Sequence, residues 1–436
     1  MADHARSSDP AVQAQLDRLF AHGPGADVLG LDRITRLLTR LGDPHRHLPA
    51  VFHVAGTNGK GSTCAFLRAA LEAAGHRVHV YTSPHLVRFN ERIRVSGRLI
   101  DDTSLAPLLA EVLDAGDGIG ASFFEVTTAA AFLVFAREPA DACVIEVGLG
   151  GRLDATNVVA DPAVCGIAAL GIDHQAFLGD TLVQIAREKA GIAKRGRPLV
   201  TRAYEPPIHA TVATIAEQAG AVLRDEGRWW RHGVNLRHRR AFVQVDNSSI
   251  AVPLPVLAGA HQISNLALAI AMLRYQDRVD VPLAAMKQAP LAVRWPARMQ
   301  RLGPGPLTAL LTPGAVLWLD GGHNADAAAA MAEALEDQAR GRPATLVLGM
   351  LANKDADAMI ASLSPLVERI IAVPVSAHAH HDPDALADRA RQAGLAAAVA
   401  PDLPAALRQA DTPVVLIAGS LYLAGEALRL NGELPD

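Results

Sequence analysis

The residues best suited to chemistry form one run, His53-Val54-Ala55-Gly56-Thr57-Asn58-Gly59-Lys60-Gly61-Ser62-Thr63. Its glycines let the backbone curl so that N–H groups face a phosphate, at the positive end of a following helix. Lys60 can bridge the outer phosphates, and Ser62 or Thr63 can reach a magnesium ion. The run departs from the general phosphate-loop pattern, because Val54 replaces the early glycine and Gly61 separates the lysine from the hydroxyl. A glycine-rich turn without a ligand is the alternative. Two acidic positions follow at the ends of apolar stretches, Glu146 and Asp173-His174. Carboxylate oxygens suit Mg²⁺, which keeps several waters and takes few protein ligands.

These groups need a scaffold that brings distant segments together. Short apolar runs alternate with Ala/Leu-rich stretches along most of the chain, which predicts β-α units and parallel sheets. Strands are expected at Val51–Ala55, Val78–Thr82, Cys143–Val147 and Val164–Leu170, with a helix over Ser62–Ala74. In a parallel sheet, ligands collect beyond the carboxyl ends of strands, which would gather the loop and the acids. A hairpin is expected at Ala241–Val245 and Ile250–Val252, where Pro253 marks an edge. The nearby Arg228, Arg231, Arg237, Arg239 and Arg240 read as a solvated hairpin face. A second β-α series has strands at Val316–Leu319, Thr345–Leu348, Ile370–Val373 and Val414–Ala418. The Pro/Gly-rich stretch Val293–Pro306 is the expected linker.

The 436 residues are too many for one ordinary core, and aromatics make up only 4%. A net charge of −4 lacks the basic footprint of a nucleic-acid binder. Cys64, Cys143 and Cys165 form no CxxC pair, which argues against a disulfide or zinc scaffold and for a reducing compartment. There is no secretory pattern in the first twenty residues. The longest apolar run, around Ala129–Ala136, is about half of the roughly 18 residues a membrane span needs. A cytoplasmic protein is expected, without membrane or nucleic-acid partners.

The form GTNGKGS resembles the loop of the folylpolyglutamate synthase / dihydrofolate synthase family, relatives of the Mur ligases. The resemblance continues through Ser83-Pro84-His85-Leu86, Asn90-Glu91-Arg92-Ile93-Arg94-Val95, Phe124-Glu125, Glu146 to Asn157, Asp173-His174 and Glu188-Lys189-Ala190-Gly191-Ile192. It implies a P-loop-type, mostly parallel α/β domain over 1–296 and a smaller Rossmann-like α/β domain over 297–436. It also implies an ATP-dependent amide ligase of folate biosynthesis, using Mg²⁺ and ATP to join L-glutamate to dihydropteroate or to folates through an acyl phosphate.

By this resemblance Thr57, Asn58, Gly59, Lys60, Gly61, Ser62, Asn265, Arg298 and Asp320 would bind ATP. Ser83, Glu146 and His174 would hold magnesium. Lys60, His174 and Lys189 would be catalytic, with Lys189 carbamylated; the residues alone suggest an exposed helix lysine there. Leu29, Gly30, Leu31, Phe123, Phe124, Glu125, Leu153, Asp154 and Ala155 would meet the pterin substrate, although core packing is equally open for the two phenylalanines. His323 and Ser420 would face glutamate. Gly322 stands where the family pattern D-x-A-H-N has alanine. His378, His380 and His381 precede Asp382-Pro383, a helix-start signal, and read as a solvated loop. A monomer is expected. The rival readings are a Mur-type peptide ligase and a P-loop ATPase switch. The fifty or so residues before the loop are too few for the extra domain of the former, and the second β-α series argues against the latter.

Overall fold

The structure, a computed structural model, describes residues 5–22 and 29–436. The chain divides into two compact units. One contains residues up to Val256 together with Ile263–Val293; the other contains Leu257–Gln262 together with Arg294–Asp436. The chain therefore passes between units at the start of the helix Ala260–Tyr275 as well as after Val293.

The first unit holds an eight-stranded sheet of β1 (Ala50–Ala55), β2 (Val78–Tyr81), β3 (Ile93–Val95), β4 (Arg98–Leu99), β5 (Ala142–Glu146), β6 (Val164–Ile167), β7 (Pro198–Thr201) and β8 (Val222–Asp225). Its order is β4-β3-β2-β5-β1-β6-β7-β8, parallel from β2 to β8 and antiparallel at the β2–β3–β4 edge. β5 is buried at every position. A central parallel strand is covered on both faces, and so reads as an unbroken apolar run. On one face, the helices Pro10–His22, Asp32–Arg40, Asp102–Ala115 and Phe123–Arg137 supply Leu16, Leu37, Leu109 and Phe132 to a core with Ile145. Elsewhere on the sheet, Leu182–Ala190 and Pro206–Ala219 pack Ala186 and Val212 with Ile167 and Leu199.

A three-stranded antiparallel sheet of β9 (Trp230–Asn235), β10 (Arg240–Val245) and β11 (Ser248–Pro253) follows, with β11 at an edge. The expected hairpin is thus extended by β9 and turns more tightly, at Asp246 (φ 49°) and Asn247.

The second unit contains a six-stranded sheet in the order β12-β13-β17-β14-β15-β16. These are β12 (Gln300–Arg301), β13 (Val316–Leu319), β14 (Ala344–Leu348), β15 (Arg369–Ala372), β16 (Ala396–Val399) and β17 (Val414–Ala418). All pairs but β12–β13 are parallel. Its core joins Leu335, Met359, Leu386 and Leu416.

Two sequence expectations change. The strand read as Val164–Leu170 ends at Ile167, where the chain turns away to support the phosphate loop. The alternation of Arg92 and Arg94 with Ile93 and Val95 predicts a half-exposed strand, yet Arg92 is 2% exposed in a short 3₁₀ turn. Its Nε donates to His85 Nδ1 at 2.9 Å, and its guanidinium lies 5.4 Å from the Phe123 ring centroid. Among the described residues, no helix is long and apolar enough to cross a membrane. All three cysteines are buried and free.

Candidate active site

Strand order determines which segments meet. The loop after β1 lies between the ends of β5 and β6, and β2 flanks β5. Those neighbouring carboxyl ends deliver the phosphate loop, Glu146, Ser83 and Asp173-His174 to one edge of the sheet, with Val54 directly opposite Glu146. Helix Lys60–Ala73 starts two residues earlier than the sequence reading, with Gly59 as its cap. Its first intrahelical bond runs from Thr63 N to Gly59 O, which leaves the N–H groups of Lys60, Gly61 and Ser62 at the open start of the helix. Thr57 N and Asn58 N instead donate to Ala169 O, and Thr57 Oγ1 donates to Gly171 O. These bonds fix the loop against the segment after β6. Asn265, 3% exposed, packs onto Gly59.

Two lysines converge on one carbonyl. Lys60 Nζ donates to Gly56 O at 3.0 Å and to Thr57 O at 3.1 Å, while Lys189 Nζ donates to Gly56 O at 2.9 Å. Lys189 is 4% exposed, so the surface reading of that helix position fails. Burial, and then the Lys60 charge, push its amine down to about 7. That shift favours the neutral amine at Lys189, so Lys60 and the start of the helix supply the positive charge here. The polarity therefore fits phosphate.

For magnesium, Ser83 offers a hydroxyl, Glu146 a carboxylate that is 5% exposed, and His174 an imidazole held on a left-handed residue with φ 54°. Asp173 Oδ1 accepts from His174 N at 2.8 Å, which fixes that turn. Among the described residues, no three His, Cys, Asp or Glu groups form a metal cage. One carboxylate with a hydroxyl and water suits Mg²⁺, and Thr63 Oγ1 is buried without a hydrogen-bond partner. The residues present fit the ion.

The loop after Glu146 is held by its own aspartate. Asp154 is 2% exposed; its Oδ2 accepts from Leu149 N at 2.8 Å, and its Oδ1 from Thr156 N at 2.9 Å and Thr156 Oγ1 at 2.5 Å. Thr156 Oγ1 also meets His53 Nε2 at 2.8 Å. Burial pushes the His53 imidazole down to about 3, so it is neutral and serves as the donor. Sequence reading missed both His53 and Thr156. The signal available was a histidine in an otherwise apolar strand. Asp154 thus pins the loop that carries Leu153 and Ala155.

Glu125 is similarly engaged. It closes a capping box with Ser122, and its Oε2 also accepts from Arg33 Nε at 2.9 Å. Phe123 stacks on Phe20 at 5.5 Å, and Phe124 tilts against Tyr81 at 5.9 Å. Both rings are half-buried beside Leu31, which starts the helix Asp32–Arg40. Leu29 and Gly30, also half-buried, immediately precede it.

In the second unit, Asp320 ends β13 and braces its own loop. Its Oδ2 accepts from Met299 N and its Oδ1 from Gly322 N, both at 2.7 Å. Arg298 Nη1 donates to Ala297 O, and His323 Nδ1 meets Gly321 O at 3.0 Å. Ser420 caps Leu421–Asn431. His378 stacks on Tyr422 at 3.7 Å and His381 Nε2 meets Lys354 O, so these half-buried histidines are tied to the fold while Ser376, Ala377 and Ala379 between and before them stay exposed.

Two matched domain families account for this architecture. The Mur ligase middle domain matches residues 54–273, and the Mur ligase glutamate ligase domain matches 298–421. The dihydrofolate synthase/folylpolyglutamate synthase of Escherichia coli is 35% identical, over 80% of this chain and 78% of its own. The solved E. coli FolC in complex with DHPP and ADP is 30% identical with TM-score 0.86, covering 97% of both chains. The bifunctional enzyme of Yersinia pestis complexed with AMPPNP and Mn ion is 31% identical with TM-score 0.84, covering 97% and 99%. The chain belongs to the folylpolyglutamate synthase/dihydrofolate synthase family. Two longer archaeal relatives are probable bifunctional folylpolyglutamate synthase/dihydropteroate synthases, from Haloferax volcanii and Halobacterium salinarum. They are 36% and 35% identical over 91% and 96% of this chain, which spans about half of their length (48% and 51%).

Proposed function

We propose that the protein is an ATP-dependent ligase that adds L-glutamate to dihydropteroate and to folate polyglutamates. The observation that carries this is the shared Gly56 carbonyl, where Lys60 and the buried Lys189 meet beside the helix start. An acceptor carboxylate oxygen attacks the γ-phosphorus, the bond to the β-phosphate bridging oxygen breaks, and ADP leaves. The amine of glutamate then attacks the acyl phosphate carbon, phosphate departs, and the amine proton is lost. Lys60 and the loop N–H groups balance charge on the moving phosphoryl group, a role that is mostly positioning. Ser83, Glu146 and His174 would hold Mg²⁺, which supplies positive charge to the phosphate oxygens.

Lys189 is assigned here as a carbamate, formed when its neutral amine adds carbon dioxide and releases a proton. An amine near 7 is about half neutral at neutral pH, where an ordinary lysine is almost wholly protonated. Leu29, Gly30, Leu31, Phe123, Phe124, Leu153 and Ala155 would line the pterin side, with Glu125 and Asp154 fixing the walls. Asn265, Arg298 and Asp320 are assigned to ATP, and His323 and Ser420 to glutamate. These roles are assigned to an ATP-binding domain, 1–296, and a glutamate-ligase domain, 297–436. The protein is taken to act as a cytoplasmic monomer.

Product analysis with dihydropteroate and tetrahydrofolate as alternative acceptors tests the reading. ADP should form only when an acceptor and glutamate are both present. ADP release without either would favour the ATPase-switch reading instead.

A further inference from the structure

The arginines around β9 and β10 are unusually close together in sequence. Residues 227–276 contain six arginines and a single acid, Asp246, within a chain whose net charge is −4. Several arginines elsewhere find carboxylates, as in Arg33–Glu125, Arg137–Glu111, Arg197–Asp161 and Arg389–Asp357. Among the described residues, no carboxylate pairs with Arg228, Arg231, Arg237, Arg239 or Arg240. Five neighbouring cations without a counter-charge repel one another, and an anionic ligand would relieve that repulsion.

The strand register organises part of this charge. Ala241, Val243 and Val245 are buried, so Arg240, Phe242 and Gln244 form the outward row of β10. Opposite them on β9 stand Asn235, Gly233 and Arg231, and on β11 Pro253, Ala251 and Ser249. Phe242 is 36% exposed and lies across Gly233, where a Cβ would come within 2.4 Å of the ring. Beside it is a depression of about 410 Å³ lined by Asn235, His238, Arg240, Ala241, Phe242 and Ala251. Arg231 sits four residues along the sheet from Arg240, roughly 14 Å at strand spacing. The face therefore presents a cation at each end, Arg240 opposite Asn235 and Arg231 opposite Gln244, whose Oε1 accepts from Arg231 Nε at 2.8 Å, with the Phe242 ring between the two ends.

We propose that this outer face is a second binding site, for the γ-linked oligoglutamate tail of folates. The site rests on the ligase reading, because that reaction lengthens such a tail. A γ-glutamyl chain carries one carboxylate per residue and matches a row of separated cations. The flat Phe242 ring suits the aromatic or methylene portions. The opposite face is anchored in the same unit: His232 Nδ1 meets Glu226 Oε1 at 2.5 Å, and its Nε2 meets Ser264 Oγ at 3.1 Å. Ser264 directly precedes Asn265, which packs on the phosphate-loop glycine Gly59. The platform is therefore braced against the helix that touches the nucleotide loop.

The test compares the full-length protein with Arg231→Gln/Arg237→Gln/Arg240→Gln and with Phe242→Ser, all of them exposed positions outside the catalytic set. Steady-state kinetics would use tetrahydropteroyl acceptors bearing one or three glutamates. The triple variant should raise KM for the triglutamyl acceptor about tenfold with kcat unchanged, and leave the monoglutamyl acceptor unaffected. Calorimetry with free tri-γ-glutamate should show binding that the triple variant loses and Phe242→Ser weakens. Identical KM values in wild type and variant for both acceptors would overturn the site. So would poly(U) binding the face while triglutamate does not. If no acceptor is ligated, the ligase reading falls separately, and the calorimetry still decides whether the face holds an oligocarboxylate.

Discussion

Replacing Gly59 by alanine tests how the phosphate loop is held. Gly59 has φ 84°, and a Cβ there would stand 2.4 Å from Asn265 Oδ1. Left-handed backbone costs an ordinary residue about 1–2 kcal/mol. Asn265 is only 3% exposed and cannot swing into solvent, so the clash behaves as overpacking and adds about 1–3 kcal/mol. Gly75→Ala separates the two contributions, because Gly75 has φ 89° and no atom within 4 Å of its notional Cβ. Urea unfolding should therefore show a loss of about 1–2 kcal/mol for Gly75→Ala. Gly59→Ala should lose about 2–5 kcal/mol in all. If the clash is transmitted to the nucleotide loop, affinity for a non-hydrolysable ATP analogue should fall roughly 10- to 100-fold, since each 1.4 kcal/mol is a factor of ten. Gly75→Ala should bind the analogue normally. Adding Asn265→Ala to Gly59→Ala should restore part of the stability but not the affinity. Equal destabilisation by the two alanines, with unchanged nucleotide binding in both, would refute the argument.

Lys60→Ala should leave circular dichroism unchanged while lowering kcat on the order of 10²–10³-fold, the usual cost of one charge-stabilising donor. Lys189→Ala should be inactive and partly recover when a short carboxylate such as acetate is added; a fully active variant would exclude the carbamate. His53 gives a stability signature with a defined sign. Its folded pKa of about 3 lies below the ordinary histidine value, so its contribution is complete above about 6.5 and is lost as pH falls toward 3. At pH 5 the loss is about 2 kcal/mol, and His53→Gln should flatten the stability–pH curve between 7 and 5 by that amount.

Much of the scaffold is written locally. Val316–Leu319 and Val414–Ala418 coincide with their strands because central parallel strands are continuous apolar runs bounded by turn residues. The phosphate loop is equally plain, since strand, glycines, lysine and helix are contiguous. What stays hidden is long-range. Lys189 lies in Arg187-Glu188-Lys189, which looks like any solvated helix face; only its bond to Gly56, in the distant phosphate loop, places it inside. Arg92 misleads in the same direction, because the alternation of Arg92 and Arg94 with Ile93 and Val95 does not reveal that His85, Phe89 and Phe123 enclose it. Asp154 and Asp320 were identified as important from their motifs. The hydrogen bonds that engage them with their own loops needed coordinates.

The contact between Arg152 and the end of helix Leu182–Ala190 has a further consequence, for redesign of the acceptor pocket. Arg152 N donates to Glu188 O at 2.7 Å, and Asn157 Nδ2 donates to both Arg152 O and Gly191 O. A Cβ on Gly151 would come within 2.7 Å of Glu188 O, and one on Gly191 within 2.3 Å of the Arg152 Cβ. The loop carrying Leu153 and Ala155 is therefore seated backbone to backbone on the segment that carries Lys189. A library aimed at new acceptors can vary Leu153 or Ala155 independently. Mutagenesis that reaches Gly151 or Gly191 would disturb this loop and the Lys189 segment together, so under the roles proposed for them gains in selectivity selected there would bring losses in turnover.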